Sequence, residues 1–77
     1  MNKLFINLYI PALDESYDIF IPVNKKVGTV KNTIINSIKG LNIEDYKLIG
    51  KEDGKIFDDN IYVKNSGIIN GAKLVLL

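Results

Sequence analysis

The 77 residues predict an α+β fold, with a mixed sheet of four to five strands and one helix packed across one face. Three observations carry this expectation. Apolar residues alternate at period two over two stretches near the start of the chain. The period then changes to helical spacing. Finally, Ala72-Lys73-Leu74-Val75-Leu76-Leu77 is apolar enough to lie in the middle of a sheet rather than at its edge.

Each element has its own justification. Leu4, Ile6, Leu8 and Ile10 alternate with Phe5, Asn7 and Tyr9, the pattern of a strand with its aliphatic side inward, and Pro11 ends it. Ala12-Leu13-Asp14-Glu15 reads as a turn. Tyr17, Ile19 and Ile21 alternate with Asp18 and Phe20 in a second strand, which Pro22 closes, so the two strands form an antiparallel hairpin. Val27, Val30, Ile34, Ile38 and Leu41 are spaced three, four, four and three, which makes one stripe of a helix expected over residues 26–39. Asn24 or Thr29 could serve as its N-cap, and Gly40 suits a left-handed C-cap.

Tyr46-Lys47-Leu48-Ile49-Gly50 reads as a third strand, and Asp53-Gly54 supplies the positive-φ step of a turn. Lys55-Ile56-Phe57 reads as a short fourth strand that Asp58-Asp59-Asn60 breaks. Residues 61–67 are irregular or form one helical turn. Asn70-Gly71 turns the chain into the last strand, over residues 72–77. A hairpin, a helix across it and a closing strand parallel to the first describe a β-grasp in a single domain spanning residues 1–77.

Composition narrows the chemistry. Ten basic residues against nine acids leave a net charge of +1, and every basic residue is Lys. A near-neutral chain without Arg is a poor reader of phosphate or guanine, so no nucleic-acid partner is expected. There is no Cys, hence no thiolate nucleophile and no disulfide, and no His, the commonest general base and metal ligand. Asp53, Asp58, Asp59 and Asn60 do not have the spacing of a calcium loop and read as turn formers. The sequence therefore carries no expectation of catalytic residues, a metal or a cofactor. No apolar run approaches the length of a membrane span, and Asn7 interrupts the opening residues too early for a signal peptide. The expected setting is the cytoplasm, without direct membrane insertion.

The layout resembles the ubiquitin fold over the whole chain, through Val27-x-x-Val30-Lys31-x-x-Ile34, Tyr46-Lys47-Leu48-Ile49 and Leu74-Val75-Leu76. Among ubiquitin-like families it is most similar to the small bacterial EsaB/YukD proteins of type VII secretion, which close with a segment like Gly67-Ile68-x-Asn70-Gly71-x-x-Leu74-x-Leu76-Leu77. The resemblance implies a non-conjugating component or regulator of that secretion system. It also implies a protein partner such as a cytosolic domain of the membrane machinery, for example its ATPase. Ubiquitin-like carriers need a mobile Gly-Gly terminus that an adenylating enzyme can activate; Leu76-Leu77 is bulky and is expected to belong to the strand.

The helix can cover only one side of the sheet. Period two sends Phe5, Phe20, Ile49, Val75 and Leu77 to the other side, beside Lys47 and Lys73. An apolar patch rimmed by Lys is the usual mark of a partner site, and the resemblance gives Ile49 and Val75 that role. A homodimer through this face and scattered surface apolars are the competing readings. So are a ubiquitin-like adaptor or inhibitor without a secretion role, and a degenerate sulfur carrier.

Overall fold

A computed structural model describes residues 2–41 and 45–77. Strands β1 (Lys3–Ile10) and β2 (Glu15–Pro22) form the hairpin, helix α1 (Val27–Ser37) follows, and β3 (Leu48–Gly50) and β4 (Ala72–Leu76) complete a four-stranded sheet in the order β2-β1-β4-β3. β1 runs parallel to β4, while the β1–β2 and β3–β4 pairs are antiparallel. The central pair is therefore the first and last strands, as the apolar content of both predicts.

The aliphatic side of each strand turns onto α1. Ile6, Leu8, Ile10, Ile21, Leu48, Leu74 and Leu76 are buried there against Val27, Val30, Ile34 and Ile35 of the helix. Burying each such side chain is worth roughly 1.5–3 kcal/mol relative to leaving it in water. Leu4, Tyr17 and Ile19 lie on the same side and pack partly against this core.

The structure corrects five local expectations. Lys55-Ile56-Phe57 is not a strand, because it makes a single bridge between Ile56 and Ile49. The bonds flanking that bridge run from the Gly50 N–H to the Lys55 carbonyl (2.8 Å) and from the Phe57 N–H to the Leu48 carbonyl (3.0 Å). The Asp53 carboxylate accepts the Lys55 N–H at 3.0 Å on one side, and on the other Asp58 accepts the Asn60 N–H at 2.8 Å, so local turns consume the backbone that a longer ladder would need. Likewise, β3 begins at Leu48 rather than Tyr46, although Lys47 and Leu77 exchange two backbone bonds at 2.8 and 2.9 Å just beyond it.

Helix α1 is shorter than residues 26–39, and neither Asn24 nor Thr29 caps it; its N-cap is Lys26, without a side-chain bond. Two of the orphan N–H groups are satisfied from a distance instead. Val27 N–H donates to the Ile61 carbonyl at 2.9 Å and Gly28 N–H to the Asp59 carbonyl at 3.0 Å. Gly28 is needed for this approach, since a Cβ there would stand 3.0 Å from that of Asp59. The Asp59 carboxylate also pairs with Lys31 Nζ at 2.8 Å.

At the other end, the Ser37 hydroxyl donates to the Thr33 carbonyl and Ile38 turns extended. Gly40, with φ +99°, thus serves the following turn rather than the helix cap. The segment 61–67 holds one short 3₁₀ turn, Val63–Asn65, as the sequence allows.

Candidate functional site: the open face of the sheet

The side of the sheet away from α1 is built as rows that cross the strands, because paired residues point the same way. At one end Phe5 of β1 opposes Phe20 of β2, with ring centroids 5.4 Å apart and planes tilted by 59°. Phe20 is 68% exposed. The Phe5 N–H, facing β4, donates to Asn70 Oδ1 at 2.8 Å, and the Phe5 carbonyl accepts the Gly71 N–H at 2.7 Å. The Asn70 side chain thus supplies a rung where β4 has not yet begun, and Gly71, with φ +84°, makes the turn.

The next row is polar. Asp18, Asn7 and Lys73 stand side by side on β2, β1 and β4, and Asn7 Nδ2 donates to Asp18 Oδ1 at 3.0 Å. Lys51 extends it, its N–H donating to the Lys73 carbonyl at 3.0 Å. The third row is Ser16, Tyr9, Val75 and Ile49, continued by Ile56 through its bridge to Ile49. Leu77 and Lys47 pair immediately beyond it. Tyr9, Val75 and Ile49 are half-buried, while Ile56 is 57% and Leu77 61% exposed.

This geometry divides the predicted site residues. Ile49, Val75, Leu77 and Lys47 come together, with Lys73 one row away on β4. Phe5 and Phe20 do not join them, because the Asp18–Asn7–Lys73 row lies between. The expected single apolar patch is therefore two. Sequence reasoning missed Tyr9 and Ile56 as members of the larger one. Tyr9 has the same strand parity as Phe5, which was a readable signal; Ile56 is placed by one bridge, which leaves no periodicity to read.

Among the described residues, charge on this side is mostly Lys that takes part in no ion pair. Among the described residues the ion pair Lys31–Asp59 lies at the helix, away from this face, whereas Lys47, Lys51 and Lys73 are exposed. The Tyr9 hydroxyl donates to Asp14 Oδ1 at 2.8 Å, and that hydrogen bond, followed by desolvation, raises its pKa above the ordinary tyrosine value. The Tyr17 hydroxyl, on the opposite side of the hairpin, donates to the Glu15 carboxylate and is raised for the same reason. No group of three or more His, Cys, Asp or Glu among the described residues stands together as metal ligands. None of their helices is long and apolar enough to cross a membrane. Leu76-Leu77 is pinned, with Leu76 buried and the Leu77 backbone bonded in both directions to Lys47.

Known structures agree with this architecture. The ubiquitin-like domain of Arabidopsis thaliana protein At2g32350 matches all of this chain and 78% of its own at 17% identity, with a TM-score of 0.77. Caldiarchaeum subterraneum ubiquitin matches 96% of this chain and 90% of its own at 21% identity, with a TM-score of 0.76. A chain of the crystal structure of ATBAG1 in complex with HSP70 matches 96% of this chain over 39% of its own at 22% identity, with a TM-score of 0.74. No protein-family model matches the chain, and no curated protein matches it. The fold is ubiquitin-like: a β-grasp with one helix across a four-stranded mixed sheet.

Proposed function

We propose that this chain is a non-conjugating protein-interaction module that docks through the open face of its sheet. We further propose that it serves a type VII secretion system as a cytoplasmic component or regulator. The observation that carries the docking reading is the row Tyr9–Val75–Ile49, flanked by exposed Ile56 and Leu77 and bordered by Lys47, Lys51 and Lys73. Apolar area at the centre with cations at the rim suits a partner with an apolar patch inside an acidic border. The secretion role rests on the EsaB/YukD-like closing segment from Gly67 to Leu77, and the ubiquitin-like neighbour solved with HSP70 supports a protein as the class of partner. The partner it suggests is the cytosolic ATPase domain of the secretion machinery.

Titration calorimetry of the purified chain against that ATPase domain from the same organism tests both parts. Ile49→Asp places a charge in the centre of the contact and is expected to weaken binding by about 30-fold or more, the effect of losing a hot spot worth ~2 kcal/mol. Absence of heat with the wild type would overturn the secretion role. Equal binding by wild type and Ile49→Asp would overturn the face.

A further inference from the structure

Asn70 is the one asparagine of the chain that precedes a glycine. That pair is chemically reactive. The backbone nitrogen after an asparagine can attack the side-chain Cγ, and glycine leaves the nitrogen unshielded because it has no Cβ. A bond then forms between the Gly71 nitrogen and Asn70 Cγ, the amide proton passes to a base in solvent, and the side-chain nitrogen leaves as ammonia. Water opens the resulting cyclic imide at either carbonyl. One product is aspartate. The other is isoaspartate, whose main chain runs through Cβ and Cγ and is one carbon longer. Water is the only other reactant.

Both residues are exposed, so water and base reach them. Two features of the fold hold the reaction off. The first is that Phe5 of β1 occupies both reacting groups. Asn70 Oδ1 accepts the Phe5 N–H at 2.8 Å, and the Gly71 N–H donates to the Phe5 carbonyl at 2.7 Å. The nitrogen cannot release its proton to solvent, nor the carboxamide swing towards it, until both bonds part. The second is the turn. The Ala72 N–H donates to the Ile69 carbonyl at 3.1 Å, Asn70 has a negative φ and Gly71 a φ of +84°, which is a type II turn. The first central residue of such a turn has ψ of about +120°. That holds the Gly71 nitrogen well away from Asn70 Cβ, whereas the imide ring needs the two eclipsed about the Cα–C bond. The rotation that brings them together carries the Gly71 N–H off the Phe5 carbonyl.

The parallel seam begins at the next residue, where Ala72 pairs with Ile6. The reactive geometry therefore belongs to a state in which the start of β4 has left β1. We propose that Asn70-Gly71 is a self-modification site gated by the β1–β4 seam: the closed seam preserves Asn70, and time spent open is recorded as a permanent change at this position. The two products differ in consequence. Aspartate still offers an oxygen to the Phe5 N–H. Isoaspartate puts an extra main-chain carbon between the groups that Phe5 holds, so the seam no longer closes in register at this end. The inference is independent of the docking reading of the open face.

The test incubates the intact chain at mildly alkaline pH. Tandem mass spectrometry follows the mass gain at Asn70 that comes with replacing its NH₂ by OH. A synthetic peptide of residues 67–73 is the ungated reference. The native chain should react at least about tenfold more slowly than the peptide, as expected of a segment open a tenth of the time or less. In denaturant the two rates should agree. Leu74→Ala, which loosens the seam without touching the dipeptide, should react about threefold faster than wild type or more. Where that variant does not fold, wild type in urea below its unfolding midpoint carries the same expectation. The isoaspartyl form, separated by chromatography, should unfold at a lower denaturant concentration than Asn70→Asp. Equal rates in the native chain and the peptide, or no mass gain at Asn70 in the peptide and the denatured chain, would overturn the proposal. So would a native rate that neither Leu74→Ala nor urea raises, which would assign the protection to the turn alone. Equal midpoints for the isoaspartyl form and Asn70→Asp would remove the link to the seam.

Discussion

The two faces of this sheet are made by the same strands, yet they differ in continuity. Towards α1 the aliphatic residues run unbroken from Ile21 through Ile6 and Leu8 to Leu74, Leu76 and Leu48. Away from α1 the apolar residues are interrupted, with Phe5 and Phe20 at one end, Tyr9, Val75 and Ile49 at the other, and the polar row of Asp18, Asn7 and Lys73 between. A face that must exclude water everywhere cannot spare a position for a polar side chain. A face that stays wet can, and it then offers separate small patches in place of a broad sticky one. The difference teaches that alternation along a strand marks which side is core, whereas the rows across strands decide what the other side can bind.

The largest effect that would break this contrast is expected at Leu74. Leu74→Ala removes a buried side chain between β1, β3 and the helix and should cost ~2–5 kcal/mol, read as a fall in the chemical denaturation midpoint. A smaller cost at Leu74 than at its neighbour Val75 would mean that the faces are exchanged. Next in size is Val75→Asp on the open side. There the stability should stay within about 1 kcal/mol of wild type, because the new carboxylate keeps access to water and lies two residues along β4 from Lys73, on the same face. Unfolding by this single change would show that the open face is core.

The smallest effect concerns pH and sharpens the contrast at the hairpin end, where Tyr9 lies on one face and Tyr17 on the other. Both hydroxyls are raised above the usual tyrosine value, first by their hydrogen bonds to Asp14 and Glu15. A raised folded pKa means that the neutral form is favoured by folding. The associated stability is therefore fully present below pH ~10 and is lost as pH climbs through the folded values. Thermal denaturation between neutral pH and pH ~11 should show a decline that Tyr9→Phe and Tyr17→Phe each reduce.

The regular parts of the fold were legible in the sequence because their periodicity is set by burial on one side. The hairpin, the helical stripe from Val27 to Ile38 and the parallel pairing of the first and last strands all follow from it. What the sequence did not disclose depends on contacts between distant residues. Nothing near Lys26 announces that carbonyls from residues 59 and 61 will complete the helix end, and Gly28 reads as a weak helix former until Asp59 is seen against it. The segment 55–57 has strand-like residues, but the Asp53 and Asp58 side chains claim its backbone neighbours for turns. For the open face, parity assigned the side chains to the correct side; spacing within one strand could not reveal that Asn7 and Lys73 would align and separate Phe5 from Val75.

The parallel pairing of Ile6 through Tyr9 with Ala72 through Val75 has a mechanical consequence. Tension applied between the start of β1 and the far end of β4 acts along neighbouring strands in opposite senses. Every rung between them is then strained together, in shear, instead of parting one at a time as the rungs of a pulled hairpin do. The Asn70 side chain adds a bond of the same orientation to that seam. A chain built this way yields late and all at once when pulled lengthwise.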